Sequence, residues 1–124
     1  MIDICVNLQN GQFSEDLFMV LKRAHHAGVK GILACATDLN LAERNVALCT
    51  ESLKRPNLPQ LLSTAGVHPH DAETWKDSDG PRLAALCEST WVRAVGECGL
   101  DFNRNFSAPK AQRRAFQAQI DVAC

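Results

Sequence analysis

The sequence lacks several features by which small proteins are often classified. It has no CxxC pair, no Walker A, GxGxxG or nucleophile-elbow motif, and no apolar run that reaches the roughly 18 residues of a membrane-spanning helix. Its charge is nearly balanced, with 13 Lys and Arg against 14 Asp and Glu. No global field therefore attracts nucleic acid or an anionic membrane, and any binding of a polyanion must come from a local patch or a metal.

A secretion signal is also missing from the beginning of the chain, because Met1 runs directly into a strand-like segment that contains Asp3. We therefore expect a cytoplasmic, soluble protein. The sequence contains six cysteines, and most of them fall at small apolar positions of periodic segments. This placement favours reduced core thiols over a zinc site or disulfides.

The chain has 124 residues, of which 46% are hydrophobic, and this size predicts one domain over residues 1–124 with no internal boundary. Four apolar runs recur about thirty residues apart and are predicted to be buried strands. They are Ile2–Val6, Val29–Cys35, Leu61–Val67 and Trp91–Val95.

Between and after these runs the apolar spacing becomes helical. We predict helices from Phe13 to a stop at Gly28, from an N-cap at Asp38 to Arg55, from Pro81 to Glu88, and from an N-cap at Ser107 with Pro109 in its first turn. The last helix has no stop signal before Cys124, so we expect more chain to follow it.

Four βα units predict an α/β fold with a parallel sheet, either doubly wound or barrel-forming. Polar residues follow every strand at its carboxyl end: Asn7, Thr37 and Asp38, His68 and His70, and Glu97 and Asp101. A TIM barrel builds its active site at this rim and needs about 250 residues. We therefore expect the first four of eight units of such a barrel.

The densest candidate site is Gly66-Val67-His68-Pro69-His70-Asp71. Two histidines at a strand end suit metal binding, acid–base chemistry or phosphate contact, although they can also be surface loop residues.

The second candidate is Val95-Gly96-Glu97-Cys98-Gly99-Leu100-Asp101. A carboxylate at the end of an apolar strand requires a partner such as a divalent metal or His68, or else serves as a structural turn residue.

A weaker signal is the loop Phe102-Asn103-Arg104-Asn105-Phe106. Its aromatic rings could stack a base if the loop is exposed, although such rings are more often part of a core. Arg104 could guide a phosphate backbone together with a basic helix face that follows it. A solvated helix face explains Lys110, Arg113 and Arg114 equally well.

These segments, together with Asp3-Ile4-Cys5-Val6-Asn7-Leu8, resemble the N-terminal part of the TatD-type metal-dependent DNases. The resemblance implies a TIM barrel of the amidohydrolase type that hydrolyses phosphodiesters, as a Mg²⁺-dependent 3′–5′ exonuclease on single-stranded DNA or RNA. It assigns Glu97 to the metal, His68 to the catalytic site, and His70 and Asp101 to motif positions. Together with Asn103 and Arg104, these last two residues are the predicted substrate-binding set.

Two departures from the family pattern modify this prediction. Many members begin Asp-x-His-x-His with both histidines on a metal, whereas this chain has Cys5 and Asn7. A thiol suits Mg²⁺ poorly, so we expect one ion. The family's later metal-ligating residues would lie beyond residue 124, so we expect the isolated chain to be nearly inactive.

Two other interpretations remain open from the sequence. One is a non-catalytic half-barrel that self-associates or complements a partner chain, because its outer strands would leave open edges. The other is a small flavodoxin-like binding module, which is disfavoured by the missing phosphate-cradling glycine loop.

Overall fold

A computed structural model describes residues 1–124. Its centre is a four-stranded sheet in which each strand pairs in parallel with the next one along the chain. The strands are β1 (Ile2–Val6), β2 (Gly31–Ala34), β3 (Gln60–Ala65) and β4 (Val92–Val95). Each predicted run therefore overlaps one strand. The first run matches β1, β2 and β4 are shorter than their runs, and β3 begins one residue earlier and ends two residues earlier than predicted.

Helices alternate with the strands, which confirms the α/β class. They are α1 (Leu17–His26), α2 (Leu39–Ser52), α3 (Asp79–Cys87) and α4 (Pro109–Ala123), with short 3₁₀ helices at Gly11–Phe13 and Pro69–Thr74. None of them combines the length and the apolar character that crossing a bilayer requires.

Local sequence signals explain where α1 ends and where α2 begins. Gly28 follows α1 with a φ of +92°, a conformation that favours glycine. Its N–H bonds to the carbonyl of His25 and the next N–H, of Val29, bonds to that of Ala24, which is a Schellman motif. Asp38 caps α2 as predicted, because its Oδ1 accepts a hydrogen bond of 2.8 Å from the N–H of Leu41.

Three predicted helix starts differ from the structure. Helix α3 begins at Asp79, two residues before the predicted Pro81. Helix α1 begins at Leu17 because the residues around Phe13 form a separate 3₁₀ turn, capped by the side chain of Asn10. Ser107 does not cap α4, whose N-cap position is Ala108. The Ser107 hydroxyl instead donates to the carbonyl of His70 at 2.7 Å.

The core consists of two apolar clusters on the sheet. One lies under α2, α3 and α4 around Val67, Trp75 and Leu83, and the other lies around Leu21 and Ile32 under α1 and α2. The helical spacing of Phe116, Ile120 and Ala123 predicts that these residues form the buried face of α4, and this prediction is wrong. Ile120 is 37% exposed, whereas the fully buried residues of this helix are Gln112, Ala115 and Gln119.

The prediction of four buried strands is wrong for both outer strands, β1 and β4, which are the two edges of the sheet. In β4, Arg93 and Ala94 are exposed. Ile2 and Ile4 are 70% and 66% exposed, since β1 is an edge of the sheet and pairs only with β2. The prediction of reduced core thiols is also only partly met. All six cysteines are free, but only Cys35 and Cys49 are buried, and Cys5 and Cys124 are exposed.

Candidate functional site

The loops that leave the strands at their carboxyl ends are joined by backbone hydrogen bonds. The N–H of His68 donates to the carbonyl of Thr37 at 2.8 Å, and the N–H of Glu97 donates to the carbonyl of Ala36 at 2.7 Å. An open cleft of about 490 Å³ lies here and is lined by His68, Glu97 and Asp101. The structure thus brings three of the predicted site residues into one place.

The close approach of two of these loops depends on Gly66. A Cβ atom at this position would lie 2.8 Å from the Cα and the carbonyl carbon of Gly96. Real Cβ atoms do not approach backbone this closely, so a side chain would push the two loops apart. Gly66 therefore lets the segment before His68 pack directly on the segment before Glu97.

His68 is oriented by the 3₁₀ helix that it precedes. Its Nδ1 accepts a hydrogen bond of 3.2 Å from the N–H of His70, and its ring lies edge-to-face with the ring of His70 at 4.2 Å between centroids. An accepting Nδ1 carries no proton, so the neutral ring carries its proton on Nε2. The half-buried His68 can therefore present a hydrogen-bond donor at Nε2.

Asp101 is surrounded by hydrogen-bond donors. Its Oδ1 accepts from the backbone N–H groups of Arg104 and Asn103, and its Oδ2 lies 2.7 Å from Nε2 of His70. These hydrogen bonds lower the pKa of Asp101 to about 2, with the backbone N–H of Arg104 as the largest cause and His70 as the second. Asp101 is therefore ionised at neutral pH and holds the His70 ring in place.

The loop after Asp101 is exposed, as base stacking would require. Phe102 and Phe106 are 42% and 68% exposed, and the ring of Phe106 packs edge-on against His70 at 4.7 Å. Arg104 is also exposed, and one of its guanidinium nitrogens lies 3.3 Å from Asp101. Asn103 is exposed beside it.

Two buried glutamines of α4 support the site, and sequence reasoning missed both. The Gln112 amide bonds to the N–H and carbonyl of Asp101, and the Gln119 amide bonds to the N–H and carbonyl of Val67. Their spacing of seven residues places them on one helix face, but glutamine is usually a surface residue. The sequence therefore carried no signal that this face was the buried one.

A second group lies beside Glu97. The Sγ atoms of Cys5 and Cys35 are 3.1 Å apart, and ligand atoms of these two residues and Glu97 all lie within 4.8 Å of one another. Burial, the hydrogen bond with Cys5 and the nearby charges raise the pKa of the Cys35 thiol to about 12. Asn7, the other departure from the family pattern, is exposed after β1.

In a comparison with known protein families, the model of the family "TatD related DNase" matches residues 2–124. The chain belongs to this TatD family. It is 46% identical over 123 residues to the 3′-5′ ssDNA/RNA exonuclease TatD of Salmonella typhimurium, covering 99% of this chain and 45% of that protein. The TatD exonuclease of Erwinia tasmaniensis is 49% identical over 123 residues, with 99% and 46% covered.

The fold comparison gives the same family. A TatD family hydrolase from Entamoeba histolytica superimposes with a TM-score of 0.84 at 29% identity, covering 96% of this chain and 44% of that one. The chain thus spans about half the length of the curated relatives it matches. Its four βα units correspond to about half of a TatD-type barrel fold.

The cleft contains two carboxylates, those of Glu97 and Asp101. Asp101 is already engaged by His70 and by two backbone N–H groups, so Glu97 is the carboxylate that could hold a divalent cation. Mg²⁺ is commonly held by one or two carboxylates together with water and substrate phosphate, so Glu97 fits that role. The two thiols beside it do not, because thiolates prefer softer metals.

Proposed function

We propose that this chain forms the first four βα units of a TIM-barrel hydrolase domain that cleaves phosphodiester bonds. The expected activity is that of a metal-dependent 3′–5′ exonuclease on single-stranded DNA or RNA, as the names of the TatD relatives indicate. The observation that carries the proposal is the cleft that brings His68, Glu97 and Asp101 together at the carboxyl ends of the strands.

Glu97 is the proposed ligand of a single Mg²⁺ ion. When bound, such an ion offsets phosphate charge and lowers the pKa of a bound water. This chain holds the carboxylate in place through the backbone bond from Glu97 to Ala36 and through the close packing of Gly66 on Gly96. Local neutralisation of phosphate charge also removes the need for a strongly basic surface.

His68 is proposed to act on the substrate rather than on the metal. Because its Nδ1 already accepts from the N–H of His70, the free Nε2–H is a donor. A donor at this point suits a phosphate oxygen. It suits the attacking water less well, since activating that water would need a group that accepts its proton.

The loop after Asp101 is the proposed contact surface for the single-stranded nucleic acid. His70 is held by Asp101, and exposed Asn103 and Arg104 supply polar and cationic groups to the nucleic-acid backbone. Exposed Phe106, which packs on His70, offers a face on which a base can stack.

The experiment uses the protein as its own cell produces it, with its intact mass measured first. A longer form is expected to degrade a 5′-labelled single-stranded oligonucleotide from the 3′ end in the presence of Mg²⁺. Glu97→Gln should reduce the rate by more than about 100-fold, since even outer-shell changes at metal sites cost 10–100-fold. Glu88→Gln, an exposed carboxylate outside the cleft, is the matched control.

The 124-residue chain by itself is proposed to be nearly inactive, because it spans under half of its relatives. Robust degradation by this chain that Glu97→Gln abolishes would disprove the inactivity. Activity of the longer form that survives Glu97→Gln would disprove the proposed role of Glu97. The predicted cytoplasmic location and a role in DNA repair or nucleic-acid turnover stay predictions.

A second candidate is a non-catalytic half-barrel that self-associates or complements another chain. The exposed edge strand β1, with Ile2 and Ile4 uncovered, favours it. It predicts a dimer or larger species of the 124-residue chain in analytical ultracentrifugation, and Ile4→Lys should shift this species toward monomer. A compact monomer that unfolds cooperatively at micromolar concentration would contradict it.

A further inference from the structure

Two cysteines lie where a carboxylate-bound metal site is proposed, and neither has a role in that site. Cys5 and Cys35 come from β1 and from the segment after β2, yet their Sγ atoms are 3.1 Å apart. With a carboxylate oxygen of Glu97 they form a set of three ligand atoms within 4.8 Å of one another.

The backbone around this set is held from several sides. The N–H of Cys35 donates to the carbonyl of Val6 at 3.0 Å, which ties the segment after β2 to β1. The carbonyl of Cys35 accepts from the buried amide of Asn45 at 3.3 Å. Glu97 is tied to the next residue, Ala36, by its N–H. The three ligand-bearing segments are therefore positioned before any ion arrives, which is what a metal site requires.

Cys5 itself is held in an unusual conformation. Its φ of +63° lies in the left-handed region, and the register between β1 and β2 shifts between Asp3 and Val6. A residue other than glycine is strained in this region, and such residues cluster at functional sites. The irregular strand places the exposed Cys5 thiol against the buried thiol of Cys35.

We infer that Cys5, Cys35 and Glu97 form a binding site for a thiophilic divalent cation of the zinc class, with a fourth position open to water. Two thiolates and one carboxylate are a zinc-type donor set, and three protein ligands leave one position open. Tetrahedral zinc with Zn–S bonds of 2.3 Å holds its two sulfurs about 3.8 Å apart. The thiols need to separate by about 0.7 Å to reach that distance, whereas a disulfide would need them to approach by about 1.1 Å.

This inference rests on the proposed function only in sharing Glu97. One carboxylate oxygen can bind the thiophilic ion while the other remains for Mg²⁺. The test uses binding alone, without nucleic acid, so its failure and the failure of the nuclease proposal are separate results.

The probe is Co²⁺ added to the reduced chain in the presence of a non-thiol reductant. We expect one bound ion per chain, a thiolate-to-cobalt charge-transfer band, displacement by equimolar Zn²⁺ and no displacement by a large excess of Mg²⁺. The charge-transfer band should be lost in Cys5→Ser and binding weakened in Glu97→Gln. Cys98→Ser is the matched control, since Cys98 lies in the same loop as Glu97 but outside the three-ligand set, and it should leave the band unchanged.

Cys5 carries the decisive substitution because its side chain is exposed, so that Cys5→Ser leaves the core intact. Cys35→Ala is the second variant, with far-UV circular dichroism to show that it folds. Absence of the band in the reduced chain would overturn the inference, as would its persistence in Cys5→Ser or its loss in Cys98→Ser. A thiol titration that finds a Cys5–Cys35 disulfide under the same reducing conditions would also overturn it.

Discussion

Replacing Gln119 by leucine tests whether a buried amide of α4 holds the loop that presents His68. The Gln119 Oε1 accepts from the N–H of Val67 at 2.7 Å, and its Nε2 donates to the carbonyl of Val67 at 3.1 Å. Gln119 is 1% exposed and Val67 is 4% exposed, so water does not replace the lost partners. Leucine is close to glutamine in volume, so the change removes hydrogen bonds with little loss of packing.

The expected cost follows from the two backbone groups that lose their partner. A buried polar group left without a hydrogen bond costs about 1–3 kcal/mol, so the N–H and the carbonyl of Val67 together cost about 2–6 kcal/mol. With a urea m value of about 2 kcal/mol/M, the midpoint of unfolding should fall by about 1–3 M. Because the Val67 N–H loses its acceptor in Gln119→Leu, this amide should also exchange with solvent faster. Val67 directly precedes His68, so the exchange rate reports on the loop that presents His68.

The assay is urea unfolding followed by circular dichroism, combined with hydrogen exchange at Val67. Gln117→Leu is the control, since Gln117 is an exposed glutamine of the same helix that bonds only to Asp121 at 2.8 Å. It should change the free energy of unfolding by no more than about 0.5 kcal/mol. A loss below about 1 kcal/mol in Gln119→Leu, with unchanged exchange at Val67, would refute the reasoning.

Three further predictions concern the rim. Gly66→Ala should lower the free energy of unfolding by about 1–3 kcal/mol, because its Cβ would meet the Gly96 backbone, and an unchanged urea midpoint would contradict this. In Asp101→Asn, stability should be lower at neutral pH, and the difference from the unsubstituted chain should disappear as the pH falls from about 4 to about 2. The reason is that folding lowers the pKa of Asp101 to about 2. The ionised carboxylate therefore stabilises the fold above the pKa of the unfolded state, and this stabilisation is lost as the pH falls through the pKa of the folded state. Equal stability differences at pH 7 and pH 2 would contradict this prediction. Cys5→Gly should raise Tm by about 2–4 °C, since relief of the left-handed strain of about 1–2 kcal/mol exceeds the entropic cost of glycine of about 0.5–1 kcal/mol, and a lower Tm in a thermal scan would contradict it.

Much of the fold could be predicted because the signals that specify it are local. Asp38 caps α2 through an N–H three residues away, and Gly28 ends α1 through bonds that lie within one turn. Ser107 shows the limit of this reasoning. Its sequence context is that of an N-cap, but its hydroxyl bonds to His70, which is 37 residues away.

The candidate site was partly predictable for a different reason. Parallel strands end at one edge of a sheet, so residues placed after each strand, such as His68 and Glu97, are expected to be neighbours. The pairing of His70 with Asp101 at 2.7 Å does not follow from that rule. It depends on how two loops bend after leaving the sheet, and neither loop has a periodic pattern.

The sequence by itself determined the α/β class, the order of the strands and helices, and the rim on which His68, Glu97 and Asp101 lie. Periodicity, caps and strand ends act over a few residues and can therefore be read along the chain. Only the tertiary structure decided that Gln119 is buried against Val67, 52 residues away, and that Cys5 meets Cys35 beside Glu97. These contacts depend on the crossing of elements that are distant in sequence, where a polar side chain is buried or exposed according to the backbone groups that packing places opposite it.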